Sequence, residues 1–221
     1  MCANYKPATL AQIAELNLPV IPFAYENEIY PNFQTPLLFQ SDRGLEWRLV
    51  NFGLIPKWAE SREIAKHTYN ARNETLIEKA SFKESLFKHK FGLIPVTEFY
   101  EAKYINARAQ RWGVKRKDGQ AFFIAALYEI TKINQEIIRS ACMLTMDALD
   151  HPMMKEFHEP GNIKRSIIVI PHQHILQWLN WESSDISQFI QGFPVDEFEC
   201  FYCPQQRQAK NSLQLSMFDE G

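Results

Sequence analysis

Arg111-Trp112-Gly113-Val114-Lys115-Arg116-Lys117-Asp118-Gly119-Gln120-Ala121-Phe122-Phe123-Ile124-Ala125-Ala126-Leu127-Tyr128-Glu129 consists of two strand-like runs joined by Asp118-Gly119. An Asp-Gly pair supplies the left-handed backbone a tight β turn needs, so it predicts a hairpin between residues 111–116 and 121–129. Working outward, residues 91–96 read as a buried strand and 45–52 as another, with further strands over 141–146 and 166–171. The helical signals are short. Residues 9–17 carry Leu10, Ile13 and Leu16 on one side. Ser81-Phe82-Lys83-Glu84 fits a capping box, in which the hydroxyl and the carboxylate satisfy backbone donors at a helix start. Asp150 ahead of Pro152 offers a third start, and residues 175–192 read as helix in one or two pieces. The proline-punctuated segment 19–36 is irregular. Strands mixed with short helices, without regular β-α alternation, predict an α+β fold.

The chain has 221 residues, 46% apolar, 23% charged and 13% aromatic, enough for one domain with a full core and unlike disordered or collagenous sequence. The longest apolar run, residues 121–128, is well short of the roughly 20 residues a membrane span needs. No basic stretch followed by an apolar one stands at the N-terminus, so no signal peptide is expected. Four cysteines, one at position 2, suit a reduced, cytoplasmic setting. The net charge of −2 argues against a globally basic nucleic-acid binder. The charge is unevenly placed, however. Lys103, Arg108, Arg111, Lys115, Arg116 and Lys117 lie close together with Tyr104 and Trp112 among them and no acidic residue between. Clustered cations with aromatics suit phosphate tracking and base stacking; a solvated hairpin explains them equally well. After Cys203 the sequence turns rich in Gln, Ser and Asn, predicting a domain over 1–203 and a mobile tail over 204–221.

Four places carry potential chemistry. If Met1 is removed, Cys2 presents an α-amine and a thiol two carbons apart, a pair no internal residue offers. An aldehyde condenses with the amine to an imine, and the thiol then closes a five-membered thiazolidine. His67-Thr68-Tyr69-Asn70-Ala71-Arg72-Asn73-Glu74-Thr75 combines an amide with a planar guanidinium suited to phosphate. Thr97-Glu98-Phe99-Tyr100-Glu101 follows a buried strand; a carboxylate there moves protons or holds an ion pair. His158 stands before a Pro-Gly turn and is either an acid–base group or a structural histidine. Cys200-Phe201-Tyr202-Cys203 lacks a second ligand pair, so no metal or other cofactor is expected.

Taken together and in order, these residues resemble the SRAP family of abasic-site processing proteins. The resemblance spans roughly residues 1–171. It rests on Met1-Cys2, on Phe52-Gly53-Leu54-Ile55-Pro56-Lys57-Trp58, and on Tyr69-Asn70-Ala71-Arg72-Asn73-Glu74-Thr75, with Phe99-Tyr100-Glu101, Met143-Leu144-Thr145, and Phe157-His158 followed by Arg165 completing it. It implies a single domain with a mixed or antiparallel curved sheet, or pseudo-barrel, flanked by short helices. It also implies loss of Met1 and capture by Cys2 of the ring-opened aldehyde of an abasic sugar in single-stranded DNA, as a thiazolidine. Asn70 would orient the Cys2 end, Glu101 would shuttle protons, and His158 would open the sugar ring and reverse the adduct. Arg72 and Arg165 would hold phosphates, Trp58 would stack on a base, and Thr145 and Asn32 would complete the DNA contacts. The expected working unit is a monomer on the strand.

The sequence departs from the family pattern at three points. Asn32 is one residue off the register of the family's Tyr-Asn turn, Ala3-Asn4 stand where Gly-Arg is common, and Ala102 replaces the common Trp. Near the end of the chain, Gln214-Leu215-Ser216-Met217-Phe218 resembles the short peptides by which bacterial repair proteins hold the replication sliding clamp. The competing readings are an N-terminal-nucleophile peptidase that exposes Cys2 by self-cleavage and a non-catalytic single-strand binder.

Overall fold

The computed structural model describes residues 2–204. In chain order these form β1 (Asn4–Pro7), α1 (Leu10–Glu15), β2 (Gln34–Ser41), β3 (Gly44–Phe52), β4 (Asn70–Arg72) and α2 (Ala80–Phe87). They continue with β5 (Phe91–Ile105), β6 (Arg108–Arg116), β7 (Phe122–Ile133), β8 (Glu136–Asp147), β9 (Arg165–Ile167), β10 (Val169–Ile170), α3 (Ile175–Leu179) and β11 (Phe198–Tyr202). Five strands close into a barrel: β7 pairs β8, β8 pairs β3, β3 pairs β2, β2 pairs β5, and β5 returns to β7. Within the ring only β3–β8 is parallel, at Asn51–Ser140 and Phe52–Ala141. The α+β class and the barrel-like sheet with short flanking helices agree with the sequence reading.

The apolar run of β7 is continuous because both faces of the strand are covered. Phe122, Ile124 and Ala126 pack with Cys2, Phe52, Ile94 and Met143. Phe123, Ala125 and Leu127 pack on the opposite face with Leu93, Phe82, Leu86 and Trp178. The period-2 alternation of strand side chains thus divides the core in two, with α2 and α3 roofing the second half. Trp178 is fully buried and its indole N–H donates to the Gly92 carbonyl at 2.9 Å. Burial of a side chain this large contributes about 2–3 kcal/mol.

Strand β5 is the longest, at 15 residues. Its first half belongs to the barrel and its second half carries β6 and β1. This overturns the expected hairpin at Asp118-Gly119. Glu98 pairs with Lys115 of β6 and Val96 with Phe122 of β7, so β6 and β7 succeed one another as partners of β5 and are not paired to each other. The Asp-Gly turn is present, with Gly119 at φ +72, but it tops an excursion between two collinear strands. The hairpins lie elsewhere. Ile105–Arg108 closes over Asn106-Ala107 and Ile133–Glu136 over Asn134-Gln135, all four turn residues having positive φ.

Two helical expectations also change. The capping box belongs to α1, where the Thr9 hydroxyl accepts from Gln12 N–H and the Gln12 side chain answers Thr9 N–H. α2 starts a residue before Ser81, after Lys79, with no side-chain cap. Residues 175–192 hold only α3 and a three-residue 3-10 turn, Ser187–Phe189. Gly53 is required as glycine: its φ is +121, and a Cβ there would lie 2.3 Å from the Ala65 carbonyl oxygen. The motif Gln214-Leu215-Ser216-Met217-Phe218 lies outside the described residues.

Candidate active site

Cys2 precedes β1, and the pairing of Asn4 with Tyr100 and Tyr5 with Phe99 carries it to the second half of β5, beside Glu101. β4 lies parallel to β8, pairing Asn70, Ala71 and Arg72 with Met143, Leu144 and Thr145. Two blocks of the sequence resemblance are therefore adjacent strands. Alternation turns Ala71 into the core and leaves Asn70 and Arg72 together on the other face. The Asn70 side-chain amide donates to the Cys2 carbonyl at 2.8 Å, while its Oδ1 is buried with no partner among the described residues.

Cys2 is 1% exposed, and its thiol meets the Asn4 carbonyl at 3.6 Å. Burial pushes this thiol up to about 12, and the negative charge of Glu101 adds to the rise. The sulfur is therefore held neutral, beside the Glu101 carboxylate.

His158 arrives from a distant loop. It is a non-glycine residue at φ +65, a conformation that persists only where surroundings over-determine it. Its N–H donates to the Ala102 carbonyl at 2.7 Å, and the neighbouring Phe157 forms an isolated β-bridge with Lys103. This brings His158 Nε2 to 3.4 Å from Glu101 Oε2. Upstream, the turn Met154–Glu156 is capped by His151 Nδ1, which accepts the N–H groups of Met153 and Met154 at 3.2 Å each.

A cavity of about 500 Å³ opens over Glu101 and His158, with Arg72 and Arg165 in its wall. The two arginines differ. Arg165 is 4% exposed and forked onto Glu74 at 2.8 and 2.9 Å, with a further bond to Thr145 Oγ1 at 3.0 Å. Thr145 is thus buried as an acceptor in this network. Trp58 is 56% exposed, its indole N–H 3.4 Å from the Ala80 carbonyl, and Asn32 sits in a left-handed turn bonded through its backbone to Phe52. Neither lines the cavity. Half of the cationic stretch is ion-paired: Arg111 with Glu28, Lys115 with Glu199, and Arg116 with Asp118 and Glu197. Cys200 and Cys203 are free thiols, and the Cys203 sulfur accepts from Arg111 at 3.3 Å.

Sequence reasoning left unassigned Glu74, which fixes Arg165, and Lys164, whose ammonium reaches the carbonyl of His158. Glu74 stood inside the most specific block of the resemblance. Nothing local marked Lys164.

The profile of the family described as SOS response associated peptidase (SRAP) matches residues 1–206. The chain belongs to the SRAP family. Among curated SRAP relatives, Abasic site processing protein YoaM of Bacillus subtilis is 28% identical over 156 residues, 69% of this chain and 66% of that protein. Abasic site processing protein YoqW of the same organism is 27% identical over 189 residues, 81% of each chain. Abasic site processing protein HMCES of Xenopus tropicalis is 34% identical over 91 residues, 36% of this chain and 27% of that one. The SRAP barrel is similar to the crystal structure of a Bordetella bronchiseptica protein, with a TM-score of 0.85 at 22% identity, covering 92% of this chain and all of the other. No helix among the described residues is long and apolar enough to cross a membrane.

Proposed function

We propose that this SRAP protein processes abasic sites in single-stranded DNA by forming a covalent thiazolidine through Cys2 once Met1 has been removed. The observation that carries this reading is the convergence on the Cys2 main chain and thiol of an amide at 2.8 Å and a carboxylate, with an imidazole 3.4 Å from that carboxylate. Hydrolysis of the Met1–Cys2 peptide bond frees the amine, and Asn70 Oδ1, buried and without a partner among the described residues, offers an acceptor on the side chain that already holds the Cys2 carbonyl. The amine attacks C1′ of the ring-opened sugar, and the carbinolamine loses water to give an imine. The thiol sulfur then bonds to the imine carbon while its proton passes through Glu101 to the nitrogen. Aldehyde and aminothiol become thiazolidine and one water, with no oxidant or reductant. His158, sharing the cavity with Arg72 and Glu101, donates the proton that opens the sugar hemiacetal and assists reversal. Arg72 meets a flanking phosphate. Arg165 lines the same cavity from its fixed place on Glu74.

The test is a denaturing gel of abasic oligonucleotide incubated with protein. Unmodified protein gives a shifted band that Cys2→Ala lacks. Cys2→Ser keeps the amine and gives at most a borohydride-reducible imine. An undiminished band for Cys2→Ala, or a cleaved peptide substrate in its place, overturns the reading. The sequence Gln214-Leu215-Ser216-Met217-Phe218 is read as a sliding-clamp anchor. Deleting residues 213–221 removes clamp binding and spares the adduct; unchanged clamp affinity refutes that assignment.

A further inference from the structure

Glu101 and Ala102 are shared by two cavities. One is the cavity over His158. The other, of about 400 Å³, adjoins it at these two residues and is lined by Asn4, Tyr30, Tyr100 and Arg111, with the short side chains of Ala102 and Ala109 also in its wall. At its wall, the Arg111 guanidinium stacks on the Tyr100 ring, its central carbon 3.5 Å from the ring centroid. Both partners are fixed. The Tyr100 hydroxyl donates to Glu98 Oε2 at 2.6 Å. Arg111 Nη2 donates to Asn4 Oδ1 at 2.6 Å and to Glu28 Oε1 at 2.5 Å, and Nη1 reaches the Cys203 carbonyl at 3.4 Å and the Cys203 sulfur at 3.3 Å.

This arrangement decides which ligand chemistry fits. An arginine that binds phosphate presents its terminal N–H groups edge-on and keeps its charge uncompensated. Here both terminal nitrogens are engaged and Glu28 balances the charge. What the group still offers is a flat, polarisable face: Tyr100 covers one side of the guanidinium, and both residues line the cavity. A planar guanidinium held flat and neutralised is a stacking platform for a nucleobase.

We propose that this second cavity is a nucleobase subsite, in which the base next to the lesion on one side stacks on the Tyr100–Arg111 pair while the lesion sugar lies across Glu101. The inference rests on the reading that an abasic strand occupies the His158 cavity. It adds that one neighbouring base, and not only the neighbouring phosphate, is held. Stacking has no edge readout, so the subsite takes any of the four bases and favours purines for their larger faces.

The test uses equilibrium binding, which needs no covalent step. Fluorescent single strands carry a tetrahydrofuran at the lesion, which mimics the sugar without an aldehyde. A second tetrahydrofuran then replaces the base at either immediate neighbour in turn. Removal of the base at one neighbour, and not at the other, weakens anisotropy-measured binding by the unmodified chain about ten-fold. In Arg111→Leu that difference falls to within two-fold. The strand scan needs no variant, so misfolding of Arg111→Leu leaves it decisive. Equal affinity for all three strands, or a full base dependence surviving in a folded Arg111→Leu, overturns the proposal. Failure of the covalent reaction with intact anisotropy results would count against Cys2 chemistry and not against the subsite.

Discussion

Lys164 closes the loop that carries His158. Its ammonium donates to the carbonyls of Phe157 at 2.7 Å, His158 at 3.2 Å and Glu159 at 3.4 Å, three successive residues of one turn. A cation with three carbonyl acceptors does here what a helix C-cap does, and it fixes a histidine whose backbone is in the left-handed region. Lys164→Met keeps the length and removes every donor. Adduct formation should slow about ten-fold, as for a misplaced proton-transfer group, and Lys164→Arg should recover part of the rate. Single-turnover gels measure this. A rate equal to that of the unmodified protein would show that the loop holds itself.

Glu74 and Arg165 make a prediction about stability. Burial works to raise the Glu74 carboxyl, but the hydrogen bonds from Arg165 outweigh it and the net displacement is downward. A carboxylate lowered in the folded state stabilises above the ordinary carboxylate range, and that contribution is lost as pH falls through about 4 and below. Glu74→Gln should flatten the acid limb of a Tm-against-pH curve. Glu74→Ala leaves the buried Arg165 without its fork and should cost about 2 kcal/mol at pH 7 by urea titration.

His151 adds a second acid-sensitive element of opposite charge type. Burial lowers its pKa, and its Nδ1 is committed as acceptor to two backbone N–H groups. The unfolded chain takes up a proton near pH 6.5 while the folded one resists, so stability falls as pH drops below that value. His151→Asn, able to accept through its carbonyl, should remove that part of the loss. Thermal melts at pH 7.5 and 5.5 give the comparison, and an unchanged difference between the two melts would remove His151 from the account.

Trp58 stands apart from both cavities and is more than half exposed, with Lys57 beside it paired to Glu84. If a strand extends past the cavities to this ring, Trp58→Ala should lose about ten-fold in affinity for long single strands and nothing for strands confined to the lesion and its neighbours. Its melting temperature should not move, because the ring buries little.

The strands were legible where burial on both faces produces an unbroken apolar run, as in the first half of β5 and in β7 and β8. Their pairing was not. Asp118-Gly119 is the strongest turn signal in the chain, yet barrel closure assigns β7 to the other end of β5 from β6. Two of the hairpin turns, Asn106-Ala107 and Asn134-Gln135, contain no glycine; each opens on an asparagine, which tolerates the left-handed region but is a weaker signal than Asp-Gly. In the site, Asn70, Glu101 and His158 were reached through the family pattern; the fold places Asn70 and Glu101 at Cys2, and His158 at Glu101. The fork of Arg165 onto Glu74, 91 positions earlier, declares itself only once β8 and β9 are side by side. Lys164 and the Tyr100–Arg111 stack escaped for the same reason: each depends on contacts between distant segments.

The start of the chain is tucked under a hydrogen bond from Asn70 and anchored by β1, which has consequences for anyone making this protein. On the proposed chemistry, an affinity tag fused ahead of Cys2 would cap the amine that has to react, so assays of adduct formation call for an unblocked Cys2. The excursion Lys117–Gln120 between β6 and β7, exposed and outside every strand pairing, is the better place to attach a fluorophore or purification handle.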